Sequence, residues 1–276
     1  MADILDTDTE YLQDVADRYD RKKRKFEAKL ERRIKRLFRE ISKDFVVVYS
    51  LTGSAQDMEI YRAELEGILM LSYREVSRFF SRHFERELSA IDTEESDSLL
   101  ILALLAGPII SARLLAFNRI EVPKHAGFIL NTTRKVLNKN AGKAAILLSE
   151  EVTPTASEIA KEAGNLSRVE NANRAAGIAE TEVGNSSNGS ILIEEEEYDE
   201  QIRRSQADKR AIGNWIAQLD EVTRADHLMA HGQQRPPGVP FQVGPDLMLR
   251  PLDSSLGAGL SNIAGCRCQL ISSFSK

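Results

Sequence analysis

The sequence predicts an α+β protein with a mostly helical N-terminal half and a small mixed α+β C-terminal domain. Two observations carry this prediction. Apolar residues recur at spacings of three and four through much of the first part of the chain, which is typical of helices. Five of the eight prolines then fall between residues 236 and 251, among several glycines, which indicates short extended segments and turns. We expect the boundary near residues 140–153, and divide the chain into a helical region, 1–145, and a C-terminal domain, 146–276.

The composition is that of an ordinary globular protein. The 276 residues are 42% hydrophobic and 29% charged, and Trp215 is the only tryptophan. The first twenty residues are acidic and polar, without the apolar run of an export signal. The two cysteines are too few for a disulfide framework. Both observations lead us to expect synthesis in the cytoplasm and no disulfide.

The first element is one long amphipathic helix over residues 8–45. Good helix formers dominate this stretch, and its apolar residues fall three or four apart, which gathers them on one face. The predicted core-facing residues are Phe26, Leu30, Ile34, Leu37, Phe38, Ile41 and Phe45.

The same helix is strongly basic. Between Arg18 and Lys43 there are 13 Lys and Arg residues against 4 Asp and Glu, a net charge of +9 in a chain whose total is −5. Charges this dense can form a solvated helix face, or can contact the phosphates of DNA or an acidic partner protein. The residues that would make such a contact are Arg21, Lys22, Lys23, Arg24, Lys25, Arg32, Arg33, Lys35 and Arg36.

Three weaker signals follow. Residues 46–54 have β-branched, strand-like composition ending in a Gly turn, and residues 55–88 form a second helical region. Residues 98–117 are strongly apolar, but Gly107-Pro108 interrupts them and Arg113 ends the uninterrupted part. A membrane-spanning helix needs about 20 apolar residues without such a break. We therefore expect a buried helix pair turning at Gly107-Pro108, with membrane contact by 98–117 as the alternative.

Beyond residue 124 the predicted elements are shorter. A helix begins after Thr153-Pro154 with Gly164 as its C-cap, and an alanine-rich helix covers 167–183. The composition of 184–190, GNSSNGS, indicates a loop. The ILI of 191–193 is strand-like, and we expect the acidic run 194–197 to be a solvated face. In the C-terminal part, FQV (241–243) and LMLR (247–250) are the plausible short strands.

The chemistry-bearing residues are concentrated near the C-terminus. Asp220, Arg224, His227 and His231 would share one side of a helix, where Asp220 and Arg224 could pair. His227 and His231 together with Cys266 and Cys268 could bind tetrahedral zinc. The alternative is that the histidines are hydrogen-bonded and the cysteines are small buried apolar residues, and no other cofactor is expected. Asp220, Arg224 and His227 could also cleave a phosphodiester as orienting carboxylate, anion clamp and base, but no activating nucleophile motif accompanies them.

Four motifs in this part resemble the phage Mu F-like family of head morphogenesis (minor head) proteins, over about residues 150–272. They are RAAGIAETEVGNSSNG (174–189), NWIAQLDEVTRADHLMAHGQ (214–233), VPFQVG (239–244) and NIAGCRCQL (262–270), in the family's order. The chain has Glu180 where the family often has arginine. The resemblance does not extend to residues 1–140, whose function must be inferred from their physical properties.

The resemblance implies a minor capsid protein of the phage virion, located in the head near the portal vertex, and assembled in the host cytoplasm. It implies a structural role in head morphogenesis, and in DNA packaging or ejection, without enzymatic activity. The implied partners are the portal protein, other head proteins and packaged double-stranded DNA, with no small-molecule substrate. Within this reading, Cys266 and Cys268 hold the terminal strand against the histidine-bearing segment. Arg267, between them, would point to the opposite side of an extended chain and pair with a carboxylate such as Asp220.

Overall fold

The computed structural model describes residues 3–82, 95–149, 153–205 and 210–274. Four long helices come first, followed by short strands and helices, so the α+β fold class is confirmed. The helices are α1 (Asp3–Thr52), α2 (Arg62–Phe80), α3 (Glu95–Leu148) and α4 (Ala156–Ser205), with a 3-10 turn at Met58–Tyr61. The C-terminal elements are β1 (Ala211–Ile216), α5 (Ala225–Ala230), β2 (Gln234–Arg235), β3 (Phe241–Val243), β4 (Asp246–Met248), α6 (Leu260–Ile263) and β5 (Gln269–Phe274).

The predicted first helix is confirmed and is longer than expected. The apolar stripe is buried: Leu30, Ile34, Leu37, Phe38, Ile41 and Phe45 are each at most 2% exposed. The strand-like run after residue 45 is also helical through Thr52, and its Ser50 and Thr52 hydroxyls bond to carbonyls one turn earlier rather than to water. Helix α1 ends at Thr52, and the residue that follows, Gly53, has the positive φ of 68° that is typical of a glycine after a helix C-terminus.

The second predicted helical region is confirmed in shorter form. Residues 58–61 form the 3-10 turn and α2 covers Arg62–Phe80. The predicted stretch from 83 to 88 lies outside the described residues.

The expected turn at Gly107-Pro108 is wrong, because α3 runs through it and through Pro123 as one helix. A proline inside a helix removes one backbone hydrogen bond but has a φ close to the helical value. The lost bond is offset by packing: Ala106, Ile110 and Leu114 are buried in a cluster with Ile193, Tyr198 and Ile202. The side chains of 98–105 lie outside the description. Within the described ranges, no helix combines the length and the apolar character needed to cross a bilayer.

Helix α4 replaces several predicted elements by one helix of 50 residues. Its start is as expected: the Thr155 hydroxyl accepts from the Glu158 amide, and the Glu158 carboxylate accepts from the Thr155 amide, which is a capping box. The C-cap at Gly164 is wrong. Gly164 lies in the interior of α4. A Cβ at this position would lie 2.7 Å from Val46 Cγ2, so the glycine permits close packing of α1 against α4.

Three further predictions are wrong: the loop at 184–190, the strand at 191–193 and the solvated acidic face at 194–197. This part of α4, residues 182–197, is helical and almost entirely buried, and we call it the polar segment of α4. Its small residues permit close contacts, since a Cβ at Gly189 would lie 2.5 Å from Phe117 Cζ. Within the acid run, Glu194 and Glu195 are 0% exposed and Glu197 is 7% exposed.

Partners for the polar side chains explain why this burial is tolerated. Glu182 accepts from the Tyr73 hydroxyl at 2.8 Å, and Asn185 accepts from Arg250 at 2.7 Å. Glu195 forms an ion pair with Arg235 and also accepts from the Ser272 hydroxyl at 2.5 Å. A buried polar group is costly only when it lacks such partners, so this segment is fully compatible with a core position.

The strands form two small antiparallel sheets. The first has the order β2-β1-β5, with Gly213 opposite Arg235 and Trp215 opposite Leu270. The second is the β3-β4 hairpin, with Phe241 opposite Met248. The FQV strand is therefore confirmed, whereas the LMLR strand is shifted, since β4 covers Asp246–Met248.

The described chain divides into two compact units. One unit combines residues 1–26, 73–118 and 180–276, and contains both sheets and the polar segment of α4. The other combines residues 27–72 and 119–179, and is built from helix segments. Since α1, α2, α3 and α4 each contribute to both units, the units are not consecutive in sequence. The expected division into 1–145 and 146–276 remains a prediction.

Candidate metal centre

The histidine-bearing segment is a turn followed by a short helix. Helix α5 begins at Ala225 with Arg224 as its N-cap, so Asp220 lies in the preceding turn. The expectation that Asp220, Arg224, His227 and His231 share one helix face is therefore wrong. The Val222 amide donates to the Asp220 carboxylate, and the Thr223 hydroxyl donates to the Gln218 carbonyl, which favours a turn over a continuous helix.

Asp220 pairs with Arg267, as the sequence predicted. The Arg267 guanidinium lies 2.6 Å from Asp220 Oδ2, and the Thr223 hydroxyl donates to Asp220 Oδ1 at 2.9 Å. The bond from Thr223 and the charge of Arg267 together hold the pKa of Asp220 below its usual value. Arg224 does not pair with Asp220 and instead donates to the Ala264 carbonyl. The predicted base, clamp and carboxylate are thus engaged with three different partners.

Three of the four predicted zinc ligands come together. His227, Cys266 and Cys268 are each 2% exposed. His227 Nδ1 lies 3.2 Å from Cys268 Sγ and 3.5 Å from Cys266 Sγ. One ligand atom from each residue falls within 4.8 Å of the other two. Among the described residues, these three form the one group of histidine, cysteine or acidic side chains with that geometry.

His231 has a different role. Its Nδ1 accepts from the Ala217 amide at 3.2 Å, which joins the end of α5 to the segment after β1. Burial lowers its pKa, because the charged imidazolium loses hydration. His231 therefore supports the neighbouring backbone as a neutral side chain. His227 and His231 are four residues apart, but they do not lie on one helix face, because α5 ends at Ala230.

The two thiols titrate as a pair. A hydrogen bond from Cys268 lowers the pKa of Cys266, and His227 lowers it further. The same bond, together with burial, raises the pKa of Cys268. The cluster therefore favours a thiolate at Cys266 with the shared proton retained at Cys268, next to the imidazole.

The polar segment of α4 positions Cys268 and the start of β5. Asn188 Nδ2 donates to the Cys268 carbonyl at 3.3 Å, and the Leu270 amide donates to Asn188 Oδ1 at 2.9 Å. The Asn188 side chain thus bonds one backbone carbonyl and one backbone amide at the start of β5, as a neighbouring strand would. This role was not predicted, because the surrounding small residues suggested a loop, and no signal in the sequence shows that Asn188 is buried.

Aromatic rings pack on the histidine side. Trp215 meets His227 edge to face, with ring centroids 5.9 Å apart, and meets Phe241 at 5.4 Å. Trp215 and Phe241 are each at most 1% exposed. These contacts restrict the His227 ring to one orientation, which fixes the position of its Nδ1.

A cleft of about 280 Å³ opens beside the cluster. Glu180, from α4, lines it and is half-buried, and burial raises the pKa of its carboxyl against the lowering effect of Arg267 and Lys23. The cleft therefore connects the three buried side chains to groups of both charges. Its lining residues are Glu180, Gln218, Val222, Thr223, Arg224, His227, Gly265, Cys266, Arg267 and Cys268.

The basic residues of α1 differ in exposure. Lys23 is 3% exposed, so it is not available to a partner on the surface. Lys22 lies over the Phe79 ring at 4.6 Å, and Lys35 pairs with Glu31 at 2.5 Å. Arg33 is half-buried. Five of the nine predicted contact residues are exposed: Arg21, Arg24, Lys25, Arg32 and Arg36.

Comparison of the chain with family models, with curated proteins and with solved structures finds no match in any of the three.

Proposed function

We propose that this chain is a minor head protein of a bacteriophage, that it acts at the portal vertex in head morphogenesis, and that α1 contacts DNA or the portal. The observation that carries the proposal is the order of the four motifs, which follow one another along 174–270 as in the Mu F-like family. No single motif is specific by itself.

Contacts among the motifs support the proposal. Asn188 of the first motif bonds the Cys268 carbonyl of the fourth, and His227 of the second contacts the same cysteine. Phe241 of the third motif packs on Trp215 of the second. Residues of four separate motifs thus form one packed cluster. This arrangement is compatible with the motifs belonging to one shared domain.

The charge distribution supports a role in contacting phosphates or an acidic protein. The exposed Arg21, Arg24, Lys25, Arg32 and Arg36 belong to a segment of net charge +9. Arginine and lysine bind DNA phosphates without sequence preference, and salt weakens the contact. A structural protein that touches packaged DNA or a portal ring needs affinity of this kind.

The proposal is tested in the phage that encodes the chain. We expect purified particles to contain a few copies per head, and a nonsense mutation in the gene to reduce infectious particles or their packaged DNA. Heads that lack the chain but assemble, package and eject DNA normally would contradict the proposal.

A binding experiment separates the two partners of α1. Replacing the five exposed residues by glutamine should weaken binding to double-stranded DNA and reduce its salt dependence, if DNA is the partner. Replacing the exposed residues Arg119, Lys135, Lys143, Lys161 and Arg168 removes the same number of charges outside α1 and serves as the control. If both variants bind DNA as strongly as the wild type does, and only the α1 variant loses binding to purified portal, the portal is the partner. Loss of neither interaction would remove α1 from the proposal.

A further inference from the structure

The cluster of His227, Cys266 and Cys268 has a chemical capacity that the proposed structural role does not use. It combines one imidazole nitrogen and two sulfurs, all from buried side chains, beside a cleft. Imidazole with thiolate is a donor set that favours zinc over magnesium or calcium, which prefer oxygen. Zinc sites with one histidine and two cysteines are a known ligand class.

The distances suit one metal ion shared by the three atoms. Zinc lies about 2.3 Å from a sulfur and about 2.0 Å from a nitrogen, so tetrahedral geometry separates the two donors by about 3.5 Å. His227 Nδ1 lies 3.2 and 3.5 Å from the two sulfurs, and all three atoms lie within 4.8 Å of one another. The nitrogen is therefore already close to the separation from each sulfur that one shared ion requires.

The charges also suit a zinc ion. Two thiolates would neutralise its double charge, which leaves no net charge in this buried position. Two arginines line the cleft, and both already have partners: Arg267 pairs with Asp220 at 2.6 Å, and Arg224 donates to the Ala264 carbonyl.

All three side chains line the cleft, so a fourth ligand could reach a bound ion from it. Glu180 lines this cleft, but its carboxylate is not among the atoms that lie within 4.8 Å of one another. Three protein ligands with an open fourth position leave room for a water molecule, as in zinc sites that bind exogenous ligands. We propose that His227 Nδ1, Cys266 Sγ and Cys268 Sγ bind one zinc ion, with a water molecule from the cleft as the fourth ligand.

The arrangement of the chain prepares the site for the ion. Asn188 bonds the Cys268 carbonyl, the Cys266 amide donates to the Ile263 carbonyl at 3.2 Å, and Trp215 packs edge to face on the His227 ring. Ligands fixed in this way lose little conformational freedom when the metal binds. The site therefore binds zinc without requiring that the surrounding fold rearrange.

The first test measures zinc in the full-length protein, purified without chelators after growth with added zinc. We expect about one equivalent per chain in the wild type, since the three ligands share a single ion. Cys266→Ser, Cys268→Ser and His227→Ala should each lose most of it. His231→Gln is the matched control, because it removes the other histidine of the segment, and it should retain the wild-type amount. Less than about half an equivalent in the wild type, or equal loss in His231→Gln, would overturn the proposal.

A second test uses the unmutated protein, so that misfolding of a variant cannot obscure the outcome. Cobalt(II) substituted for zinc should show thiolate-to-cobalt charge-transfer absorption and the strong visible bands of a tetrahedral site. Azide should shift these bands by replacing the water molecule. Absence of the charge-transfer absorption would overturn the site, and bands that azide leaves unchanged would overturn the open fourth position.

Discussion

Two buried helical stretches of this protein have opposite composition. Residues 30–45 of α1 bury an apolar stripe, with Ile34, Leu37 and Phe45 fully excluded from solvent. Residues 182–197 of α4 bury serines, asparagines and glutamates to the same degree. The first stretch is stabilised by removing apolar surface from water, which has no directional requirement. The second depends on hydrogen bonds and ion pairs, each of which needs a particular partner.

This difference has a consequence for how each stretch responds to substitution. An apolar core accepts other apolar residues of similar volume with modest loss. A buried polar group whose partner is removed incurs its full desolvation cost. The polar segment of α4 should therefore be the less tolerant of the two, although it has the less distinctive sequence.

The largest effect is expected at the buried ion pair of Glu195 and Arg235, which are 0% and 4% exposed. Glu195→Ala leaves the Arg235 guanidinium buried without its carboxylate, and arginine cannot lose its proton. We expect the free energy of unfolding to fall by about 3–5 kcal/mol. Urea unfolding followed by Trp215 fluorescence measures this change.

The control for this prediction is Glu200→Ala on the same helix. Glu200 pairs with Arg203 and Arg204 at the surface, where its side chain is 38% exposed. Exposed pairs contribute about 0–1 kcal/mol, so this variant should unfold almost as the wild type does. Equal losses in the two variants would show that the buried pair has no special importance.

A somewhat smaller effect is expected in the apolar stripe. Ile34→Ala removes part of a fully buried side chain and should cost about 3 kcal/mol, whereas Ile34→Val should cost about 1 kcal/mol. Val47→Ala is the control on the same helix, because Val47 is 59% exposed. Urea unfolding followed by circular dichroism would contradict this account if Ile34→Val and Ile34→Ala were equally destabilised.

The same contrast explains how much of the fold the sequence predicts. The stripe of α1 repeats at helical spacing, so both the helix and its buried face could be predicted. Gly107-Pro108 and GNSSNGS are local signals of turns, but distant packing overrides them. Phe117 needs the space at Gly189, and Tyr73 provides partners for Glu182 and Asn185. Such partners, about 70 to 110 residues away in the chain, leave no trace in local composition.

The candidate site shows the same limit. The sequence pattern predicted that His227, Cys266 and Cys268 lie together and that Arg267 pairs with Asp220, and the structure has both contacts. It could not separate His227 from His231, because this depends on where α5 ends and on the bond of His231 to Ala217. It also could not identify Asn188 as the residue that positions Cys268, since its role requires that α4 continue through 184–190.

The smallest effect is expected at the surface pair of Asp220. The Thr223 hydroxyl and Arg267 lower the pKa of its carboxyl in the folded protein. The stability that this provides is present above the unfolded pKa and is lost as the pH falls through the folded pKa. Carboxyl NMR titration should show the pKa of Asp220 rising in Thr223→Val, and rising less in Arg267→Gln. An unchanged pKa in both variants would contradict the assignment of these contacts.

The central claim is that the polar segment of α4 holds the C-terminal strand and its cysteines through directional side-chain bonds. Hydrogen–deuterium exchange in Asn188→Ala tests it most directly, with Asn173→Ala, at an exposed position of the same helix, as the control. The account predicts faster exchange of the amides of residues 266–274 in Asn188→Ala, and unchanged exchange in residues 30–45. Wild-type protection of 266–274 in Asn188→Ala would contradict it.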